Sequence, residues 1–182
     1  MEIDRDDFKS AKDVSEYLLK VTGDAMMAGD FDRFAQHFHL PQTVTTFDSQ
    51  SLLQTRQDVR QIFDNVRAHY RKIGVRELVR YCVAAEFKGP DKIEATHISH
   101  LMNGTRQLAE PSAGFSLLHR IEGRWMVKGS QYAIADSIGH GRALIISAAP
   151  LPHPNQTIGQ IVAGTKNDDS LIRTQFKERK LQ

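Results

Sequence analysis

One change of periodicity constrains this chain more than any other feature. Apolar residues recur at helical spacing as far as Ile73, and after Gly74 that spacing gives way to long β-branched and aromatic runs. Ser10-Ala11-Lys12-Asp13 has the pattern of a capping box, and the stripe Val14, Tyr17, Leu18, Val21, Ala25 and Ala28 follows it. Gly29 ends this helix and Asp30 caps a second, in which Phe31, Phe34, Ala35 and Phe38 keep helical spacing until Pro41. Thr43-Val44-Thr45-Thr46-Phe47 reads as a strand, with Asp48-Ser49-Gln50 as its turn. A third helix opens on Thr55-Arg56-Gln57-Asp58, lines one face with Val59, Ile62, Phe63, Val66, Tyr70 and Ile73, and stops at Gly74. Its Arg56, Arg60, Arg67, Arg71 and Lys72 read as a solvated face.

Beyond Gly74, the segments Val75–Phe87, Lys92–Met102, Gly114–Ile121 and Arg124–Asp136 read as strands. Turns fall at Gly89-Pro90-Asp91, Asn103-Gly104 and Glu122-Gly123. Segments longer than ten residues predict a long, twisted sheet with bulges. Helices gathered first and antiparallel strands gathered last define an α+β chain rather than a βαβ repeat. Residues 1–139 read as one domain and 140–182 as an extension, with Gly139-His140-Gly141 as a turn in the tail. Pro150, Pro152, Pro154, Gly159 and Gly164 break that extension too often for a core of its own. Its Ile158, Ile161, Val162, Leu171, Ile172 and Phe176 suit an arm packed on the domain or on a second subunit. A flexible extension with a short helix around Ser170–Arg179 is the other reading.

Composition removes several classes of function. With 24 Lys+Arg against 22 Asp+Glu the net charge is +2, which gives no general attraction to nucleic acid or to an anionic membrane. A single cysteine, Cys82, excludes a disulfide framework and a cysteine-rich zinc site. The acidic start Met1-Glu2-Ile3-Asp4-Arg5-Asp6-Asp7 and the lack of an apolar run of about 18 residues point to a cytoplasmic protein. His37 and His39 diverge on a helix, no carboxylate cluster completes a metal site, and no nucleotide or hydrolase fingerprint is present. No metal and no cofactor is expected.

Three motifs in order carry a resemblance. Ala28-Gly29-Asp30-Phe31-Asp32-Arg33-Phe34 leads through Phe38 and Pro41 into a strand, Thr55–Arg60 starts a helix, and Glu122-Gly123-Arg124-Trp125-Met126-Val127 closes a hairpin. Over about residues 10–136 the chain resembles the nuclear transport factor 2-like superfamily, including its SnoaL-like and ketosteroid isomerase-like members. The resemblance implies three N-terminal helices in the concave face of a strongly curved antiparallel sheet, a cone with a pocket. It also implies dimers formed through the outer sheet face. Matching Ala28-Gly29-Asp30 to the steroid isomerases puts Thr46 where they carry a carboxylate base and Thr22 where they carry an oxyanion-binding tyrosine. A hydroxyl alone is no base near neutral pH, which argues against steroid-isomerase chemistry at those positions. Asp24 and Asp48 lie two residues away and stay as weak catalytic candidates.

His97 and His100 are the other catalytic candidates, although residues three apart on a strand face opposite sides. The expected pocket lining is Tyr17, Thr22, Thr46, Tyr81, Leu118, Arg120, Met126, Lys128, Ser130 and Tyr132. The expected dimer face is Phe115, Leu117, His119, Trp125 and Val127, too large an apolar set to leave wet. These expectations describe a protein that binds a small, largely apolar molecule and transforms it, if at all, by cofactor-independent isomerase, lyase or cyclase chemistry. The alternative is a non-catalytic homodimerisation module.

Overall fold

The computed structural model describes residues 8–146 and the backbone of residues 149–150. Helix α1 (Ala11–Ala28) starts where the Ser10 side chain accepts from the Asp13 N–H, and it ends at Gly29 in the left-handed conformation, φ 79°. Its buried stripe includes Val14, Leu18, Leu19, Thr22, Ala25 and Met26, while Tyr17 and Val21 are half-buried and Ala28 is exposed. Helix α2 (Phe31–Ala35) is capped by Asp30 and is shorter than its spacing suggested, because Phe38 already begins β1 (Phe38–Thr45). Pro41 is tolerated inside β1 because the ladder to its neighbour is irregular between Phe38 and Thr43, where a missing N–H costs little.

A tight turn leads to β2 (Ser49–Leu53), and α3 (Arg56–Ile73) follows with a complete reciprocal capping box between Thr55 and Asp58. Then come β3 (Glu77–Gly89), β4 (Lys92–Asn103), the short β5 (Arg106–Gln107), β6 (Ser112–Ile121) and β7 (Arg124–Tyr132). The sheet order is β3-β4-β6-β7-β1-β2, with β5 beside β4. The pairs β1–β2, β3–β4, β4–β5, β4–β6 and β6–β7 are antiparallel, and β1–β7 is parallel. The wholly antiparallel sheet expected from sequence is therefore a mixed one. A hairpin forces its two strands to oppose, but β1 reaches β7 through helices and is free of that constraint.

Two bulges decide which side chains face the helices. On β3, Cys82 pairs with His97 and Ala84 with Thr96, leaving Val83 as the extra residue. On β7, Gly129 pairs with Leu117 and Val127 with Leu118, leaving Lys128 as the extra residue. An extra residue reverses the alternation of the strand. Trp125 and Val127 thus face inward on one side of Lys128, and Ser130 and Tyr132 face inward on the other. This corrects two expectations together. Trp125 and Val127 are buried against Ala11, Val14 and Leu18 of α1 rather than on a dimer face, and Met126 and Lys128 point away from the interior.

The concave side holds two apolar clusters. One joins α1 to Ile93, Ala95, Leu118, Trp125 and Val127. The other centres on Val59, Ile62, Phe63 and Val66 of α3 with Phe34, Val44, Leu53 and Leu101. Ala143 and Leu144 belong to this second cluster, on a short helix α4 (Gly139–Leu144). Gly139-His140-Gly141 is therefore the first turn of a helix and not a turn in a tail. At Gly141 any side chain would collide with the Ala135 carbonyl, so only glycine lets α4 fold back this closely. The first compact unit runs through Ala149. The segments expected as an apolar arm or a terminal helix beyond residue 150 lie outside the described residues.

Phe63 is 1% exposed, and the Phe31 and Phe34 rings pack on it at 5.5 and 5.0 Å. Phe63→Ala should cost about 3–5 kcal/mol in urea unfolding. A loss below about 1 kcal/mol would contradict this placement of the core.

Candidate functional site

The space between the helices and the sheet is not filled. A cavity of about 80 Å³ lies between α1, α3 and α4 and the inward faces of β1, β3, β4 and β7. Most of its wall is apolar, supplied by residues such as Phe34, Leu53, Val59, Ile62, Val66 and Leu144. A smaller space of about 40 Å³ shares Thr22, Phe38, Arg80, His97, Ser130 and Tyr132 with it, and adds Ser116 and Leu118.

The polar groups of this wall cluster where the two spaces meet. Arg80 follows Leu78 and precedes Cys82 on the inward side of β3, so strand alternation sends a cation into an apolar interior. Although the residue as a whole is half-buried, its Nε is sealed from solvent. One terminal nitrogen donates to the Leu19 carbonyl and, at 2.8 Å, to the Thr22 hydroxyl. The guanidinium reaches them across Gly23. A Cβ at Gly23 would sit 2.7 Å from that nitrogen, so a larger residue would push the side chain away. Burial lowers the Arg80 pKa, while Tyr70, Tyr132 and Asp24 oppose that shift.

His97 faces the same space from β4 and is 3% exposed. Its ring lies over Gly114 of the neighbouring strand, where a Cβ would come within 2.5 Å of Cε1. Burial, helped by the Arg80 charge, pushes the His97 pKa down to about 4, so the ring is neutral near pH 7. His140 enters from α4, stacks on the Tyr70 ring at 5.6 Å and is also lowered to about 4, by burial and then by His69. Burial raises the pKa of both Tyr70 and Tyr132. No Asp or Glu lines either space among the described residues.

Five buried side-chain polar atoms have no hydrogen-bond partner among the described residues, and four of them belong to residues that line this cavity: Gln42 Oε1, Arg80 Nε, His97 Nδ1 and His140 Nδ1. Buried polar groups are nearly always paired, because each orphan costs about 1–3 kcal/mol. Four such atoms on the residues of one hollow set it apart from the rest of the described interior, where only His119 Nε2 is in the same position.

The residues singled out from sequence divide clearly. Thr22, Ser130, Tyr132 and His97 line the cavity, and Leu118 lines its inner extension. Thr46 does not: its hydroxyl donates to Asp136 Oδ1 at 2.5 Å and accepts from the Ser49 N–H, fastening the β1–β2 turn. Tyr81 lies on the outer face, stacked on His100 at 5.9 Å, and His100 meets Gln107 at 3.0 Å. Neither enters the hollow. Tyr17 packs on Phe8 and His37 at the far end of α1. Arg120 pairs with Asp91 at a hairpin end, and Lys128 turns outward to the Pro41 carbonyl at 2.6 Å. Met126 pairs with outward-facing His119. Asp24 is exposed and paired with Lys20 at 2.7 Å, and Asp48 accepts from the Asp136 N–H. Phe115, Leu117 and His119 face away from α1.

Sequence reasoning missed Arg80, Gln42 and His140. For Arg80 a signal existed, a cation in phase with Leu78 and Cys82 on one strand face. Gln42 and His140 carried none, because their placement depends on how β1 and α4 dock.

No family model matches the chain, and no curated protein matches it. Many solved structures share the fold. A protein of Nostoc punctiforme with a cystatin-like fold superposes with TM-score 0.54 at 11% identity, covering 94% of each chain. A nuclear transport factor 2-like protein of Novosphingobium aromaticivorans gives 0.51 at 13% identity, over 75% of this chain and 89% of that one. A ketosteroid isomerase-like protein of Erwinia carotovora gives 0.50 at 10% identity, over 69% and 97%. The chain has the nuclear transport factor 2-like, cystatin-like α+β fold. Identities this low speak for the fold alone. No helix among the described residues is long and apolar enough to cross a membrane.

His97 and His140 make stability depend on pH. Between the ordinary value of 6.5 and about 4, the unfolded chain binds protons that the folded chain refuses. Stability is therefore full above 6.5 and falls as the pH drops through that window, by on the order of 3 kcal/mol per ring. Urea midpoints near pH 7 and near pH 4.5 should show this loss, reduced in His97→Gln. Equal losses in the variant and the wild type would contradict a buried neutral His97.

Proposed function

We propose that the cavity receives a small, largely apolar molecule and that His97 serves as proton carrier if the molecule is transformed. The observation that carries this reading is a largely apolar cavity whose lining includes four residues with unpartnered polar atoms. The chemistry it supports is cofactor-independent isomerisation, dehydration or cyclisation, which needs a base and a group to steady developing negative charge. A neutral imidazole can accept a proton and the Arg80 cation can steady an oxyanion. No Asp or Glu lines the cavity among the described residues, so the base differs from that of the steroid isomerases, and the likeness to a ketosteroid isomerase-like protein carries the fold alone.

Thermal-shift screening of a small-metabolite library tests the reading. A ligand at about a hundredfold its Kd should raise the melting temperature by roughly 5–10 °C. Ser99→Phe, which puts a ring into the cavity wall, should abolish the shift. A library without hits, or hits indifferent to Ser99→Phe, would contradict it.

A homodimer through the outer sheet face is the second reading. Val79, Tyr81 and Val83 are 39%, 45% and 55% exposed on the edge strand, and Phe115 and Leu117 point outward beyond β4. Light scattering at micromolar concentration should give twice the chain mass, falling to one in Tyr81→Lys/Phe115→Lys. A wild-type monomer would refute the interface.

A further inference from the structure

We propose that the cavity selects a monocarboxylate, its carboxylate seated against the Arg80 guanidinium and its apolar body against α3. The proposal rests on the reading of the cavity as a small-molecule site and names the class of molecule it takes.

A guanidinium keeps its proton under all ordinary conditions, so Arg80 brings a fixed positive charge into a low-dielectric hollow. Buried cations are normally met by a carboxylate. Here none is in ion-pair reach among the described residues. Asp24, the acidic group that acts on Arg80 from a distance, is exposed and paired with Lys20. The two contacts that Arg80 does make, to the Leu19 carbonyl and the Thr22 hydroxyl, are neutral and occupy one terminal nitrogen. Nε retains an unclaimed N–H, sealed from solvent, on the wall shared by the two spaces.

The stoichiometry of charge then selects the ligand. His97 and His140 are neutral, and no lysine lines either space. One uncompensated positive charge suits one negative charge. A planar carboxylate matches the planar guanidinium, whereas a phosphate dianion would leave a negative charge uncompensated in the same hollow. Leu53, Val59, Ile62 and Val66 of the same lining offer only hydrocarbon, so the body of the molecule is largely apolar. Gly23 supports the assignment. A Cβ there would sit 2.7 Å from the terminal nitrogen that meets α1 and would push it away, so glycine at this position keeps the guanidinium against α1.

Calorimetric titration with matched probes tests this near pH 7. The sets are hexanoate, hexanamide and hexan-1-ol, then benzoate, benzamide and benzyl alcohol, with inorganic phosphate as a separate arm. In at least one set the carboxylate should bind roughly tenfold or more tightly than its neutral partners, because a charge-assisted contact is worth about that factor. Arg80→Met should level the set, Arg80→Lys should keep part of the preference, and the exposed Arg76→Gln should leave it unchanged. If Arg80→Met fails to fold, the ratios in the wild type and Arg80→Lys still decide. Neutral probes binding as tightly as the acids would overturn the proposal and leave the small-molecule reading standing. Phosphate binding more tightly than the acids would overturn it as well. If no probe in either set binds at millimolar concentration, the proposal falls, and the small-molecule reading is then judged on the library screen.

Discussion

A half-buried guanidinium with no carboxylate in ion-pair reach among the described residues is the interaction on which the rest of this structure turns. Taking such a charge out of water carries an effective penalty of several kcal/mol, on the order of the whole stability of a domain. Arg80 is tolerated because α1 meets it with a carbonyl and a hydroxyl, because Gly23 leaves a gap for it, and because Tyr70 and Tyr132 lie nearby. Those contacts also tie the edge strand to α1. Glu16 adds a second tie by accepting from the Cys82 N–H at 2.7 Å. The hollow and its polar corner are thus produced by the same residues that fasten helix to sheet.

The second determinant is the pair of bulges. Without Val83 and Lys128 as extra residues, strict alternation could not place Arg80 and Ala85, or Val127 and Ser130, on one face of their strands. Each bulge bends its strand and raises the local twist, and a bent sheet can curl around helices that a flat one would only touch. The curvature and the choice of lining residues therefore have one cause. A sealed apolar cluster lies at the Trp125 end of β7 and an open cavity lies at the Tyr132 end.

Much of this was legible in the sequence, for reasons that can be named. The capping residues Ser10, Asp30 and Thr55 and the terminal glycines Gly29 and Gly74 fix helix ends by local hydrogen bonding and backbone freedom, and they stand where the pattern put them. The phase of β6 was legible too, because no bulge interrupts the inward series Gly114, Ser116 and Leu118. What failed were features settled by tertiary contact. The parity switch at Lys128 inverted the expected roles of Trp125, Val127 and Met126. The docking of α4 turned an apparent tail motif into a wall of the cavity. Arg80 passed unnoticed because a single cation in a strand reads as surface unless the faces are already known. The histidines show the same limit: His97 and His100 look alike in sequence, and only the strand's orientation makes one a buried neutral ring and the other an outer-face partner of Tyr81.

The polar corner of the cavity depends on whether the Arg80 Nε–H is sealed from solvent and unclaimed. Nitrogen-15 NMR of the arginine Nε–H groups measures this directly, with Arg80→Lys identifying the resonance. The account predicts a resolved Arg80 Nε–H signal whose exchange with water is slower than that of the exposed arginines by orders of magnitude. An Arg80 Nε–H that exchanges as fast as those of Arg56 and Arg76 would show the side chain in solvent, and the polar corner of the cavity would not exist.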